Sequence, residues 1–185
     1  MKKKNKAHDL SAYPFSCGET FLLDANVWLY LYPPPSNSQS RFAAQYSAGL
    51  KSLQAAGAQL VMDAMVLSEY LNAYCRIEWK ALHQTQYPDF KSFRNSQSFK
   101  AIGKSAASFA RSMLKLCTCH DHPFSAANIT QVLNDFAAGT TDFNDGLLAA
   151  TCRHNGWKLV TNDGDFTSGG IEVLTTNSRL LTVCP

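Results

Sequence analysis

The sequence predicts an α/β fold, a mainly parallel five-stranded sheet with helices on both faces. Three observations predict it. Short apolar runs of strand length alternate with longer segments whose apolar residues recur every three or four positions. No tight hairpin signal joins one run to the next, so each strand must return by a crossover, which makes its neighbour parallel. The chain has 185 residues, 45% apolar and 17% charged, which suits one globular domain with a real core and excludes a disordered chain.

The elements follow in order. Residues 1–20 lack periodicity, carry Lys2, Lys3, Lys4 and Lys6, and read as a flexible basic tail ahead of a single domain over 21–185. No apolar stretch precedes Phe21, so the tail is neither a signal peptide nor an anchor, and a cytoplasmic protein is expected. No run approaches the ~20 apolar residues that span a bilayer, so no membrane association is expected. Phe21-Leu22-Leu23 is a buried strand ending at Asp24. Pro33-Pro34-Pro35 breaks the helical turn that follows, and residues 36–40 offer caps for the next helix. Phe42, Tyr46, Leu50 and Leu53 then recur at helical spacing up to Gly57.

Gln59-Leu60-Val61-Met62 is the second strand, followed by a helix with Val66, Tyr70, Tyr74 and Ile77 on one stripe and Glu69 near its start. Residues 83–97 are polar, contain Pro88 and read as a loop. Phe99, Ile102, Ala106, Phe109, Met113 and Leu116 keep steps of three and four, the mark of a strongly amphipathic helix. Residues 115–119 supply a third strand, 125–138 a helix stopped by Gly139, and 142–154 a helix stopped at Asn155-Gly156. Strands at 158–161 and 171–174 complete the sheet.

Charge is unevenly spread. From Lys80 to Lys115 there are seven Lys or Arg against the single acid Asp89, which marks a basic helical insertion around 78–116. The remaining body is acidic once that arm and the tail are set aside. A polyanion gripped by the basic parts, with cations held in the acidic part, accounts for both; a solvated helix surface accounts for the arm alone. The six cysteines are too scattered for a disulfide framework and read as reduced thiols, mostly small core residues. Cys117-Thr118-Cys119-His120-Asp121-His122 invites a zinc assignment, but no second Cys/His pair stands at a ribbon or finger spacing, and core packing on the third strand is the favoured reading.

The acids carry the chemistry. Asp24 ends the first strand, Asp163 follows the fourth, and Glu69 and Asp145 lie near helix starts after strands. In an open α/β sheet the carboxyl ends of the strands form the ligand crevice, so acids from distant parts of the chain can meet there. Neighbouring carboxylates raise one another's pKa, and a hard cation such as Mg²⁺ or Mn²⁺ resolves the conflict. Singly, each acid has a plainer reading. Asp24 and Asp142 can cap helices, Glu69 can be a first-turn acid, and Asp163 can serve a turn. Their joint placement is what those readings leave unexplained.

Leu22-Leu23-Asp24-Ala25-Asn26-Val27, Val66-Leu67-Ser68-Glu69-Tyr70-Leu71, Asp145-Gly146-Leu147-Leu148-Ala149-Ala150-Thr151 and Thr161-Asn162-Asp163-Gly164-Asp165-Phe166 resemble, in order, the four motifs of the PIN-domain ribonuclease family. The resemblance spans residues 21 to about 175. It implies a three-layer α/β/α sandwich, Mg²⁺ or Mn²⁺ as cofactor, and RNA as substrate, cleaved to a 3′-hydroxyl and a 5′-phosphate. Asp24, Glu69, Asp145 and Asp163 match the four family acids, Asp165 a frequent fifth, and Asn26 and Thr161 the polar residues that support them. Asp142 is an extra acid one turn before the third motif, with the roles of ligand, supporting partner and cap all open.

Gly146, where a larger residue is usual, and Asp63-Ala64, where a hydroxyl residue is common, depart from the pattern. Lys91, Arg94, Lys100 and Lys104 are the candidates for the RNA backbone, with Trp79, Tyr87 and Phe93 for unpaired bases. Many members of the family are VapC-type toxins, which implies an antitoxin partner and a homodimer. A haloacid-dehalogenase-type phosphatase would want a second Asp where this chain has Asn26. The rival of a different class is a non-catalytic PIN-fold module that binds RNA or protein without cutting.

Overall fold

The computed structural model describes residues 3–37 and 40–184, so Lys2 and positions 38 and 39 of the expected cap stretch lie outside the described residues. Its centre is a parallel sheet of six strands: β1 (Lys6–Asp9), β2 (Thr20–Leu23), β3 (Gln59–Asp63), β4 (Thr118–His120), β5 (Lys158–Val160) and β6 (Glu172–Thr175). Their order is β1-β6-β5-β2-β3-β4. β2 and β3, both interior strands, are apolar on both faces, with Phe21, Leu22, Leu23, Leu60, Val61 and Met62 all at 5% exposure or less.

Helices flank the sheet: α1 (Ala25–Leu31), α2 (Ala43–Ala55), α3 (Ala64–Glu78), α4 (Phe90–Arg94), α5 (Gln97–Leu114), α6 (Ile129–Ala137), α7 (Phe143–Asn155) and α8 (Ser178–Val183). α3 packs on α1 and α5, and α6 on α7. Local capping delimits several of them, though the N-cap position of α2 falls at Phe42, beyond the 36–40 stretch, with no side-chain capping hydrogen bond. Side chains of Asp63, Ser96 and Asp142 accept from backbone amides at the starts of α3, α5 and α7. Gly156, at φ 69°, closes α7 in the left-handed conformation that only glycine adopts freely.

Three expectations need correction. The sheet has a sixth strand, because part of the expected tail is β1. Its Lys6 amide donates to the Ile171 carbonyl at 2.9 Å and its Ala7 amide to the Cys184 carbonyl at 2.6 Å. Just before it, buried Asn5 donates to the Phe166 carbonyl at 3.0 Å and accepts from the Ile171 amide at 3.1 Å. A four-residue strand supported by distant backbone needs no apolar alternation of its own, which is why periodicity missed it.

The 83–97 stretch is not a plain loop. A π-helical turn over Trp79–His83 and the short helix α4 fold around Phe93, which is fully buried and stacks on His83 at 4.9 Å between centroids. Trp79 is also buried, its indole donating to the Tyr87 carbonyl at 2.9 Å. Neither ring is free to stack on a base. The third strand starts later than expected and is an exposed edge, so Cys119 is exposed and Cys117 only half-buried rather than packed in the core.

Gly146 explains itself in the α6–α7 contact. A Cβ there would stand 2.9 Å from Cγ1 of Val132, a stiff β-branched side chain that is itself buried. Gly146→Leu therefore lowers stability by about 1–3 kcal/mol through overpacking, read as a drop in the urea midpoint. No helix among the described residues is long and apolar enough to cross a membrane.

Candidate active site

The parallel register decides which residues leave the sheet together. Leu23 of β2 sits beside Val160 of β5, so Asp24 and Thr161 emerge side by side at the carboxyl edge. Leu22 sits beside Val61, which brings Asp63 to the same edge one strand further on. Helices α1 and α3 begin at once after β2 and β3, so this edge is where acid side chains and helix starts converge.

Asp24 is the innermost acid, 5% exposed. It occupies the N-cap position of α1, but its side chain makes no capping hydrogen bond. Its Oδ2 accepts instead from the Thr161 hydroxyl at 2.7 Å and from the Asn26 amide at 2.6 Å. Burial pushes its carboxyl pKa up, the Thr161 hydrogen bond opposes that, and the charge of Asp163 adds to it. The fully buried Thr161 hydroxyl also accepts from Asn26 Nδ2 at 3.1 Å and from the Asp163 amide at 3.0 Å. One donor and two lone pairs are thus all in use. Thr161→Val leaves three polar groups short of a partner and costs about 1–3 kcal/mol, measurable by chemical denaturation.

The other acids surround this point. Glu69 lies in the second turn of α3, with no acid in the first turn, so the expected helix-dipole role does not apply. Its pKa is raised by desolvation, then by Asp24, Asp142 and Asp163. Asp145, in the first turn of α7, has its carboxyl pushed up to about 7 by burial, then by Asp24, Asp163, Asp142 and Glu69. Asp163 accepts the Asp165 amide at 2.9 Å on Oδ1, so turn chemistry engages that oxygen.

Asp142 caps α7 through the Asn144 amide at 2.9 Å and also repels both Glu69 and Asp145. Asp165 stands further out, exposed and 3.5 Å from Arg179 across water-accessible surface. The five acids Asp24, Glu69, Asp142, Asp145 and Asp163 therefore feel one another's charge. Among the described residues, however, no three His, Cys, Asp or Glu side chains already stand in metal-binding geometry.

Two supporting features leave no mark in the sequence pattern. Asn162 anchors the β5 exit: its amide donates to Asn26 Oδ1 at 3.2 Å, and its carbonyl accepts from Asn177 Nδ2 at 2.8 Å. Tyr46 of α2 places its hydroxyl 3.0 Å from the Thr161 carbonyl, although its helical spacing marks it only as core. Asp63 is fully buried and meets His122 Nδ1 at 2.7 Å, while Thr151 lies 3.4 Å from the same nitrogen. His120 instead packs edge-on against Trp157 at 4.8 Å. A polar residue directly after an apolar strand is the one sequence signal for Asp63.

Comparison with known proteins decides the family. The sequence matches the PIN domain over residues 21–172. The chain belongs to the PIN-domain family. PIN domains are generally nucleases, hydrolases that use divalent metal ions. A chain of VapBC2 from Rickettsia felis, crystallised bound to a DNA fragment from their promoter, shares the PIN fold with a TM-score of 0.52 at 16% identity, over 84% of this chain and 98% of that one. PAE2754 from Pyrobaculum aerophilum is similar at a TM-score of 0.46 and 18% identity, over 83% of this chain and 89% of that one. A search of curated proteins finds no match. The PIN match begins at β2, so β1 lies outside it.

Proposed function

We propose that this PIN-domain chain is a metal-dependent endoribonuclease hydrolysing RNA phosphodiester bonds, with Asp24, Glu69, Asp145 and Asp163 as its catalytic carboxylates. The observation that carries this reading is the convergence of these acids at the carboxyl edge of the sheet, where β2 and β5 deliver Asp24 and Asp163 and the helices after β3 and β4 bring Glu69 and Asp145 within range of their charge. Acids gathered around the buried Asp24 that raise one another's pKa are costly to keep ionised, and clusters at functional sites are where such cost is found.

The donor set fits a hard divalent cation, since every ligand offered is a carboxylate oxygen. Asp24, Glu69, Asp145 and Asp163 would hold Mg²⁺ or Mn²⁺, with Asp142 and Asp165 as outer candidates. Bound there, the ion supplies charge neutralisation at the phosphate and makes water easier to ionise. The chain's own residues do the rest. Thr161 and Asn26 hold the Asp24 carboxylate in one orientation. Lys91, Arg94, Lys100 and Lys104 are all exposed and attract the RNA backbone to the domain.

The fold shared with VapBC2 supports a toxin role in a toxin–antitoxin pair, with an antitoxin protein as partner. A homodimer belongs to the same proposal, and the exposed Leu133 and Phe136 of α6 offer apolar surface for it. The deciding experiment incubates the protein with single-stranded RNA in Mg²⁺, in Mn²⁺ and in a chelator. Cleavage in the metal arms only, leaving 5′-phosphate and 3′-hydroxyl ends, is expected. RNA binding without cleavage in any arm would assign the chain to the non-catalytic class.

A further inference from the structure

Away from the acids, α3, α4 and α5 enclose a groove of about 490 Å³. Leu71, Cys75, Phe90, Phe99 and Ala107 give it an apolar floor, and Arg94, Lys100 and Lys104 stand at its rim with no acid among the lining residues. Gly103 lets the Phe99 ring lie close along α5, where a Cβ would stand 3.0 Å from it. The floor thus accepts a flat apolar group, while the rim demands negative charge close beside it.

The groove is joined to the acid cluster. Asn72 lines both this groove and a second cavity of about 700 Å³ that contains Glu69 and Arg76. Glu69, Asn72 and Arg76 follow at steps of three and four along α3, so they share one face, and all three are exposed. The seven steps from Glu69 to Arg76 span about 10 Å of helix. Arg76 in turn lies over the Phe90 ring at 4.4 Å, at the groove wall.

From this continuity and charge pattern we infer that the groove between α3 and α5 is a subsite for an unpaired nucleobase of the RNA strand, with Arg94, Lys100 and Lys104 on its flanking phosphates. It rests on the ribonuclease reading and deepens it. The strand runs from the cleavage point at the acids along the exposed face of α3 and turns one base into the groove. A base has the flat apolar face the floor takes, and only a polyanion satisfies three unopposed cations at its edge.

The test uses the Asp24→Asn protein, to prevent cleavage, and a short fluorescent single-stranded RNA followed by anisotropy. Abasic residues are placed along the RNA one position at a time. With the groove intact, one position loses affinity by about 5- to 150-fold. With the groove filled by Ala107→Phe, the same abasic substitution costs less than about 2-fold, because the base no longer has a place to be lost from. Lys100→Ala with Lys104→Ala weakens all sequences alike and lowers the slope of log K against log salt by about 1.4.

This surface pair also covers the case in which Ala107→Phe fails to fold, which its thermal transition reveals. An abasic penalty equal in open and filled grooves overturns the subsite, as does RNA affinity indifferent to Lys100 and Lys104. In the latter case an acidic amphipathic peptide becomes the occupant to test. Metal-dependent RNA cleavage by the unmodified protein separates the two failures: with cleavage present only the subsite falls, and with none the reading beneath it falls too.

Discussion

Asp24→Asn reduces metal-dependent RNA cleavage by about a thousandfold or more while leaving the fold intact. The substitution is nearly isosteric. The Asn oxygen can keep the Oδ2 position, where it still accepts from Thr161 and Asn26, so the packing at the β2 exit survives. What disappears is the one negative charge that is both almost fully buried and acts on both Glu69 and Asp145. Removing it relieves repulsion, so the melting temperature stays level or rises. Cleavage rate and melting temperature are therefore measured together. Lost activity with a transition lowered by many degrees would point to damage rather than chemistry, and retained activity with an unchanged transition would exclude Asp24 from the site.

The acid cluster lowers stability as pH rises from about 4 to 7, and Asp145→Asn makes that slope shallower. Below the unfolded carboxyl pKa, about 3.9, the group is neutral in both states and contributes nothing. Through the window above it the unfolded chain releases its proton, whereas the folded chain holds on until about 7. The native state is therefore progressively penalised, and the whole penalty is present above 7. Its upper bound is about 4 kcal/mol, which screening by solvent at this half-buried group reduces to about 2 kcal/mol.

Glu69 and Asp24, also raised, act in the same direction. Mn²⁺ at a hundredfold excess over its dissociation constant restores about 2.7 kcal/mol at pH 8 in the wild type and much less in Asp24→Asn or Asp145→Asn. Urea denaturation across pH 4–8, with and without Mn²⁺, measures both effects. A flat profile that Mn²⁺ does not lift would remove the electrostatic basis of the site.

Much of this was legible because it is local. An apolar run of strand length followed by an acid, at once in β2 with Asp24 and within three residues in β5 with Asp163, needs no distant partner to be read. The same holds for the cap at Asp142 and the stop at Gly156. Supporting roles for Asn26 and Thr161 came from the resemblance, but the reason for them is geometric: one hydroxyl connecting Asp24, Asn26 and the Asp163 amide across 137 residues of sequence.

Other features depend wholly on distant partners. Phe93 sits in a polar stretch that reads as a loop, with Trp79 just before it, yet a local cluster with His83 and Tyr87 encloses both rings. Asp63 looks like a simple departure from the family pattern until His122, 59 residues away, lies beside it.

The amino-acid order alone thus set the alternation of strand and helix, the position of Asp24 and Asp142 at element boundaries, and the separation of a basic arm from an acidic body. These follow from short-range chemistry: periodicity, capping, and charge along the chain. Tertiary structure decided that residues 6–9 extend the sheet beside β6 and that Thr161 joins the acids from two strands. It also decided that α3 carries one exposed face from Glu69 to a cationic groove. Each of these requires groups far apart in sequence to become neighbours, and their energies come from burial and hydrogen bonding that exist only after the chain has closed.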